Sequence, residues 1–464
     1  MLDVLGADFW QLGAMPAAGF AYALLALYLA ANLGANDVAN SMGTSVGSKA
    51  LTLRQAIIAA GILEFAGAVL FGQGVSETLT TGVVNPGVLA TMPQVFLIGM
   101  VSVLISCGLW LQIATSLGLP VSSSHAVVGA IAGFGWLAAG VNAVHWQTIG
   151  IISLTWLVTP VVSGAIAALF YSGVKYGILD RPDPLVQLRE WIPWLSATLL
   201  GIFGLLVLPS LSLPLQKIVS EQLGWHLPTH DIPILLGAIA TFSLTVISWQ
   251  QLGKSDSRGS APVPAPISDR ATTEGLPLPE PEIGATTEGL PIPGLVEQQM
   301  GRFQVLSACF VAFAHGSNDV GNAVAPLAAI AYIRRTGTVP LNDFHVPLWV
   351  LILGGIGIVI GLALWGKQVI MTVGEGIIQL QPSGGFCAEL ATATTVLMAS
   401  HLGLPVSTSH ALVGAVVGVG LVRGWKSVQF KTLQSIGLAW VITIPIATAL
   451  AALIFSVIRI FLGI

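Results

Sequence analysis

The chain has 464 residues, 54% of them hydrophobic and only 8% charged, with a mean hydropathy of +0.85 and a formal net charge of −4. A soluble domain carries about a quarter charged residues, so a water-soluble globule is excluded, and nothing resembles the basic patch of a nucleic-acid binder. Much of the surface must face lipid, where the backbone closes its hydrogen bonds within helices or a barrel; apolar runs of roughly 20 residues select a helical bundle.

The N-terminus MLDVLGADFW has no basic stretch and carries Asp3 and Asp8, so a cleaved leader is not expected and the first apolar run should stay in the mature chain. Apolar windows predict helices near 17–34, 55–75, 94–117, 147–171, 192–212 and 232–253, then near 303–316, 346–370, 387–402 and 431–457. The expected fold is an all-α integral membrane protein of about 10–12 transmembrane helices with re-entrant or broken helices. Between the two sets, residues 254–300 are rich in Pro, Gly, Ser, Thr and Glu and repeat ATTEGLP at 271–277 and 285–291. Such a stretch buries too little apolar surface to fold alone, so it reads as a disordered hydrophilic linker, with a regulatory segment as the alternative. The organisation is then a first transport repeat at 1–175, connecting helices at 176–253, the loop at 254–300, and a second repeat at 301–464. Cys107, Cys309 and Cys387 all lie in apolar runs and read as small packing residues.

GANDVAN at 34–40 returns as GSNDVGN at 316–322, 282 residues on (316 minus 34). LPVSSSHAVVGAIAG at 119–133 returns as LPVSTSHALVGAVVG at 404–418, 285 residues on (404 minus 119). Two unlike motifs in the same order at nearly the same separation mean an internal duplication. Membrane carriers commonly place their substrate where such repeats meet.

Asp37 and Asp319 sit at the ends of apolar segments, among Gly34, Gly316, Asn36, Asn318, Asn40 and Asn322. A carboxylate at membrane depth is costly and marks an ion or substrate path. Gly beside Asn-Asp is expected to break the helix locally and free backbone groups, which is tolerated only beside a protein- or water-lined cavity. Asp and Asn oxygens are hard ligands for a small cation, with helix capping as the plainer use. In the second motif, proline followed by hydroxyls describes a helix N-terminus, whose unpaired N–H groups favour an anion. Two such ends facing each other would clamp one oxyanion, with hydroxyl bonds from Ser123, Ser124, Thr408 and Ser409. No Lys or Arg falls in any of the four motifs, so a bound cation is expected to offset the anion's charge. His125 and His410 serve either as proton shuttles or as neutral rings bonded to backbone. His315 has Leu33 as its counterpart, which excludes a symmetric role. Glu64 and Glu389 are further acids inside apolar helices, read as cation contacts or as partners of a neighbouring helix.

At these four motifs the chain resembles the inorganic phosphate transporter (PiT) family, which is related to sodium–phosphate symporters. The likeness covers about 17–170 and 303–457 and excludes the loop. It implies two inverted repeats, a central phosphate site, and import across the plasma (inner) membrane by symport with sodium or protons. It assigns phosphate to Asp37, Asn40, Ser123, Ser124, Asp319, Asn322, Thr408 and Ser409. Sodium falls to Asn36, Asp37, Ser122, Asn318, Asp319, Ser407 and Glu389, and Glu64 becomes a coupling acid. No cofactor beyond the co-transported ion is implied. A homodimer is compatible with such carriers, though no residue demands it.

Sulfate is the competing substrate. Phosphate keeps a proton at neutral pH and can donate it to Asp37 and Asp319, whereas sulfate offers the carboxylates only acceptor oxygens, a repulsion that selects phosphate. A membrane Ser/His enzyme is disfavoured because Ser124 and His125 diverge by about 100° on a helix and no Gly-x-Ser-x-Gly context accompanies them. The expected mechanism has a cation bind first at the Asn-Asp motifs, phosphate bridge the two helix ends, and the two halves rock.

Overall fold

The computed structural model describes residues 17–119, 121–209, 231–259, 292–341, 344–376 and 380–463. Its elements are helical, apart from one isolated antiparallel bridge between Val84 and Val144. The first repeat opens with α1 (Ala17–Gly47) and α2 (Leu53–Phe71), the latter started by a capping box between Thr52 and Gln55. The short α3 (Gln73–Glu77) runs into a π-helical turn at Thr78–Gly82. There follow α4 (Pro93–Ser116), α5 (Ser123–Ala139) and α6 (Trp146–Val174). Two helices, α7 (Pro184–Leu206) and α8 (Asp231–Gly259), lead to the second repeat. That repeat holds α9 (Ile292–Thr336), α10 (Leu348–Gly376), α11 (Pro382–His401), α12 (Thr408–Arg423) and α13 (Phe430–Leu462). Among the described residues seven helices are long and apolar enough to cross a membrane. The shorter α5 and α12 follow α4 and α11 across tight turns at Gly118 and Gly403, both with positive φ.

Two expectations need correction. The Asn-Asp motifs do not break their helices, for α1 and α9 run unbroken through GANDVAN and GSNDVGN. Their glycines instead allow close packing. A Cβ on Gly34 would overlap the carbonyl oxygen of Ile358, and one on Gly316 that of Glu64. Nor is the whole of 254–300 a loop, since 254–259 close α8 and 292–300 open α9. Leu295, Glu297, Gln298, Gln299 and Met300 are good helix formers and extend the helix beyond the apolar run. The remainder of that segment, 260–291, lies outside the described residues, as do Asp3 and Asp8.

The chain divides into one unit of residues 1–174 and 300–464 and another of 175–299. In the smaller unit α7 packs on α8, and Trp249 Nε1 donates to the carbonyl of Arg189 at 2.8 Å. In the larger unit the two repeats interlace. Helix α1 packs along α10, while Gly67 and Gly316 bring α2 onto α9. Gly129 and Gly133 of α5 meet the backbone of α13 at Ile444 and Thr448. Gly414 and Gly418 of α12 meet that of α6 at Pro160 and Gly164 in the same way. Small residues four apart let helix backbones approach closely in a membrane, which is why both motifs continue VVGAIAG and LVGAVVG. Every one of these contacts has a mirror, so the repeats are related by a pseudo-two-fold.

Candidate functional site

The hydroxyl motifs form helix N-termini as their sequence demands. Ser122 caps α5 by accepting from the His125 N–H at 3.3 Å, and Ser407 caps α12 from the His410 N–H at 3.3 Å. The two ends meet at the pseudo-axis. His125 Nδ1 lies 3.2 Å from the carbonyl of Trp440, and His410 Nδ1 lies 3.1 Å from that of Trp156. Each ring also stacks on the tryptophan of its own repeat, and the two imidazoles meet edge to face at 4.8 Å. Each ring is thus held to backbone through Nδ1, while both Nε2 atoms are buried without a partner.

Against this pair of N-termini lie the middles of α1 and α9. Asp37 and Asp319 are buried, at 2% and 0% exposure. Thr408 Oγ1 donates to Asp319 Oδ2 at 2.9 Å, and Ser123, the residue at the mirrored position, lies beside Asp37. Asn40 Nδ2 donates to Asp37 Oδ1 at 3.2 Å. Asn322 reaches across the repeats, its amide donating to Ser123 Oγ at 3.3 Å and Ser124 Oγ at 3.1 Å. Ser124 in turn donates to the carbonyl of Val406 at 2.9 Å, and Ser409 pairs with Ser407 at 2.9 Å. The expected phosphate residues therefore form small hydrogen-bonded groups, Asp37–Asn40, Asn322–Ser123–Ser124 and Asp319–Thr408, gathered in a centre where α1 and α9 meet the two helix N-termini, with Ser409 buried in the first turn of α12.

The expected sodium residues divide. Asp37, Asp319 and His315 each present a ligand atom within 4.8 Å of the others, the arrangement of a cation site. Asn36 and Asn318 use their amides elsewhere. Asn36 Nδ2 donates to Thr115 Oγ1 at 2.9 Å and to the carbonyl of Leu119 at 3.4 Å. Asn318 Nδ2 donates to Ser400 Oγ at 3.0 Å and to the carbonyl of Leu404 at 3.1 Å. These mirrored brackets tie each Asn-Asp helix to the turn before the helix N-terminus of its own repeat. The Asn318 oxygen stays buried without a partner, alongside Asp37 Oδ2, Asp319 Oδ1 and Asn322 Oδ1. The Ser122 and Ser407 hydroxyls are engaged in capping.

Glu389 stands apart from the centre. It accepts from Thr44 at 2.5 Å, Ser45 at 2.7 Å, Gln304 at 3.1 Å and Ser307 at 2.7 Å, and is fully buried. Thr44 lies seven residues beyond Asp37 on α1, about 10 Å along the helix axis.

Glu64 joins the centre through a residue that sequence reasoning set aside. His315 Nδ1 lies 3.2 Å from Glu64 Oε1, and its Nε2 lies 2.9 Å from Asp319 Oδ2. Both are ion-pair distances, although the ring is off the line of a hydrogen bond to either carboxylate. Ser41 donates to the same Glu64 oxygen at 2.9 Å. A chain Ser41–Glu64–His315–Asp319–Thr408 thus links α2, through α9, to the start of α12. His315 was set aside because Leu33 breaks the symmetry; the signal that would have found it is its place four residues before Asp319, on the same face of a helix.

The chain is 38% identical over 439 residues to the inorganic phosphate transporter 2-1, chloroplastic, of Arabidopsis thaliana, covering 94% of this chain and 71% of that one. It matches a solved structure described as the sodium-dependent phosphate transporter with a TM-score of 0.78 and 35% identity, over 95% of this chain and 99% of that chain. Both are named as transporters rather than enzymes. Residues 33–451, which span all four motifs, match the profile of the phosphate transporter family, and the chain is a multi-pass membrane protein belonging to that family.

Proposed function

We propose that the chain imports inorganic phosphate across the plasma (inner) membrane by symport with sodium, through alternating access to the centre just described. The observation that carries this reading is the excess of acceptors at that centre. Four side-chain oxygens, on Asp37, Asp319, Asn318 and Asn322, are buried there without a partner. No Lys or Arg falls in any of the four motifs. A buried carboxylate is expensive without a partner; His315 faces Asp319 and Glu64 at ion-pair distance, but an oxyanion placed beside these acids and Asp37 calls for further positive charge.

Phosphate and a cation answer this excess together. The N–H groups opening α5 and α12, with Ser123, Ser124, Thr408 and Ser409, donate to the phosphate oxygens. Phosphate's own O–H donates to Asp37 or Asp319, which sulfate lacks the proton to do. Sodium takes the remaining carboxylate oxygens and the Asn318 carbonyl, and the sodium dependence of the matched structure favours it over a proton. Glu389, ringed by Thr44, Ser45 and Ser307, supplies a second oxygen cage away from the centre.

Because the repeats interlace, the two sequence halves are poor candidates for rigid rocking bodies. The centre lies on a seam between α1, α2, α9 and α10 on one side and α5, α6, α12 and α13 on the other, and motion along this seam would open it. The test is uptake of labelled phosphate into proteoliposomes under a sodium gradient or a pH gradient alone, with excess sulfate as competitor. Sodium-driven uptake indifferent to sulfate is expected. Sulfate uptake in place of phosphate overturns the substrate, and uptake driven only by protons overturns the coupling ion.

A further inference from the structure

A cavity of about 330 Å³ opens between α1, α4 and α10, next to the centre but outside it. Its rim is apolar, including Leu24, Ile360 and Trp365, while its polar lining comes from Tyr28, Asn32, Gln112, Thr115 and Ser116. Polar groups gathered inside an apolar rim are costly unless water or a ligand meets them. The bonds these groups make leave a defined set of free valences. Tyr28 Oη donates to Gln112 Oε1 and Asn32 Nδ2 to the Tyr28 carbonyl, the latter at 2.9 Å. The Gln112 amide N–H groups and the Asn32 oxygen are left over. Thr115 Oγ1 accepts from Asn36 at 2.9 Å, so its own proton is free to donate.

Amide and hydroxyl donors, one amide acceptor and no carboxylate suit a protonated oxyanion rather than a cation. The volume holds a tetrahedral anion with several waters, each taking about 30 Å³. Thr115 belongs both to the cavity lining and to the bracket holding Asn36, the sequence neighbour of Asp37, so the bracket connects the cavity lining to the helix that carries the centre. The second repeat loses three of the five polar lining positions, since the mirrored positions of Tyr28, Asn32 and Gln112 are Phe310, Ala314 and Leu397, while those of Thr115 and Ser116 are Ser400 and His401. Duplication preserved the bracket, as Asn318–Ser400, but only part of the polar lining.

We infer that this cavity is an outer oxyanion subsite, where a phosphate group is held before the Asn36–Thr115 bracket opens to the centre. The inference rests on the phosphate reading above. Free phosphate and the phosphodiester of a lipid headgroup both present acceptor oxygens to the Gln112 and Thr115 donors, and only free phosphate also offers an O–H to the Asn32 oxygen.

Wild-type uptake comes first, since a wild type that takes up no phosphate sinks the transport reading itself. Gln112→Leu, which installs the mirrored residue, is then expected to raise the KM for phosphate about fivefold, the worth of one hydrogen bond, with the maximal rate held within about twofold. Ser116→Cys, labelled by a membrane-impermeant thiol reagent over the wild-type background, reads occupancy without relying on transport. Labelling slowed by inorganic phosphate supports the subsite with free phosphate as its occupant. Labelling slowed only when phosphate-free glycolipid vesicles are replaced by phosphatidylcholine supports it with a headgroup as occupant. A transporting wild type whose Gln112→Leu variant keeps its KM, and whose Ser116→Cys labelling responds to neither, overturns it.

Discussion

Asp37 and Asp319 are mirror images in sequence but not in company. Asp319 has Thr408 at 2.9 Å and His315 at 2.9 Å, whereas Asp37 has Ser123 and Asn40 and, at the place of His315, Leu33. The two should therefore respond differently to substitution. Asp37→Asn keeps the shape and an acceptor oxygen beside Ser123 while removing a cation ligand, so uptake is expected to fall at least about tenfold, the loss of about 1.4 kcal/mol of binding. Its expression and thermal stability in detergent should stay near wild type, and wild-type uptake by the variant would sink the cation role. His315→Leu does to the second repeat what Leu33 does in the first, but it leaves Glu64 and Asp319 buried without their shared partner. Breaking a buried charged contact costs about 3–5 kcal/mol, so this variant should lose stability as well as uptake. A melting temperature unchanged from wild type would show that the histidine is not what holds the two acids together.

The helices carrying these residues show what one sequence can and cannot disclose. The hydroxyl motifs were legible because a helix N-terminus is a local event: proline, then a serine cap, then small residues, all within one turn. Ser122→Ala and Ser407→Ala should each cost about 1 kcal/mol through the lost cap, read as a lowered midpoint of thermal unfolding, with phosphate affinity falling alongside as the N–H groups lose their fixed direction. The Asn-Asp helices were misread because the reason for Gly34 and Gly316 lies on other helices, at Ile358 and Glu64, far away in sequence. A glycine that ends a helix and one that admits a neighbouring backbone look alike in a single sequence. Substitution separates them. Gly→Ala normally stabilises a helix interior by about 1 kcal/mol, yet Gly316→Ala should destabilise by about 1–3 kcal/mol or more, because the new methyl meets the Glu64 carbonyl. Gly150→Ala in α6, where a Cβ would have open space, is the control that should be neutral or better. Glu389 was legible as a buried acid, but its partners Thr44, Ser45, Gln304 and Ser307 come from two helices whose pairing no local pattern encodes.

Duplication was plain from the two offsets, but not that the copies would fold through one another. Each repeat lends helices to the other: α1 lies on α10, α2 on α9, α5 on α13 and α12 on α6. The glycines that bring these pairs together face the opposite repeat, so an isolated repeat would expose stripes shaped for a partner it lacks, with no packing to replace them. Neither half should then persist alone. A chain cut within 260–291 offers a direct test, because that segment lies between the repeats and its proline-rich composition cannot supply a core. Expressed singly, residues 1–270 and 271–464 should each be degraded or aggregate. Expressed together, they should assemble, co-purify and restore phosphate uptake to within a fewfold of the intact chain. Uptake by either fragment alone would mean that one copy carries a complete path, and the centre shared between Asp37, Asn322, Ser123 and Thr408 would lose its claim to be the transport site.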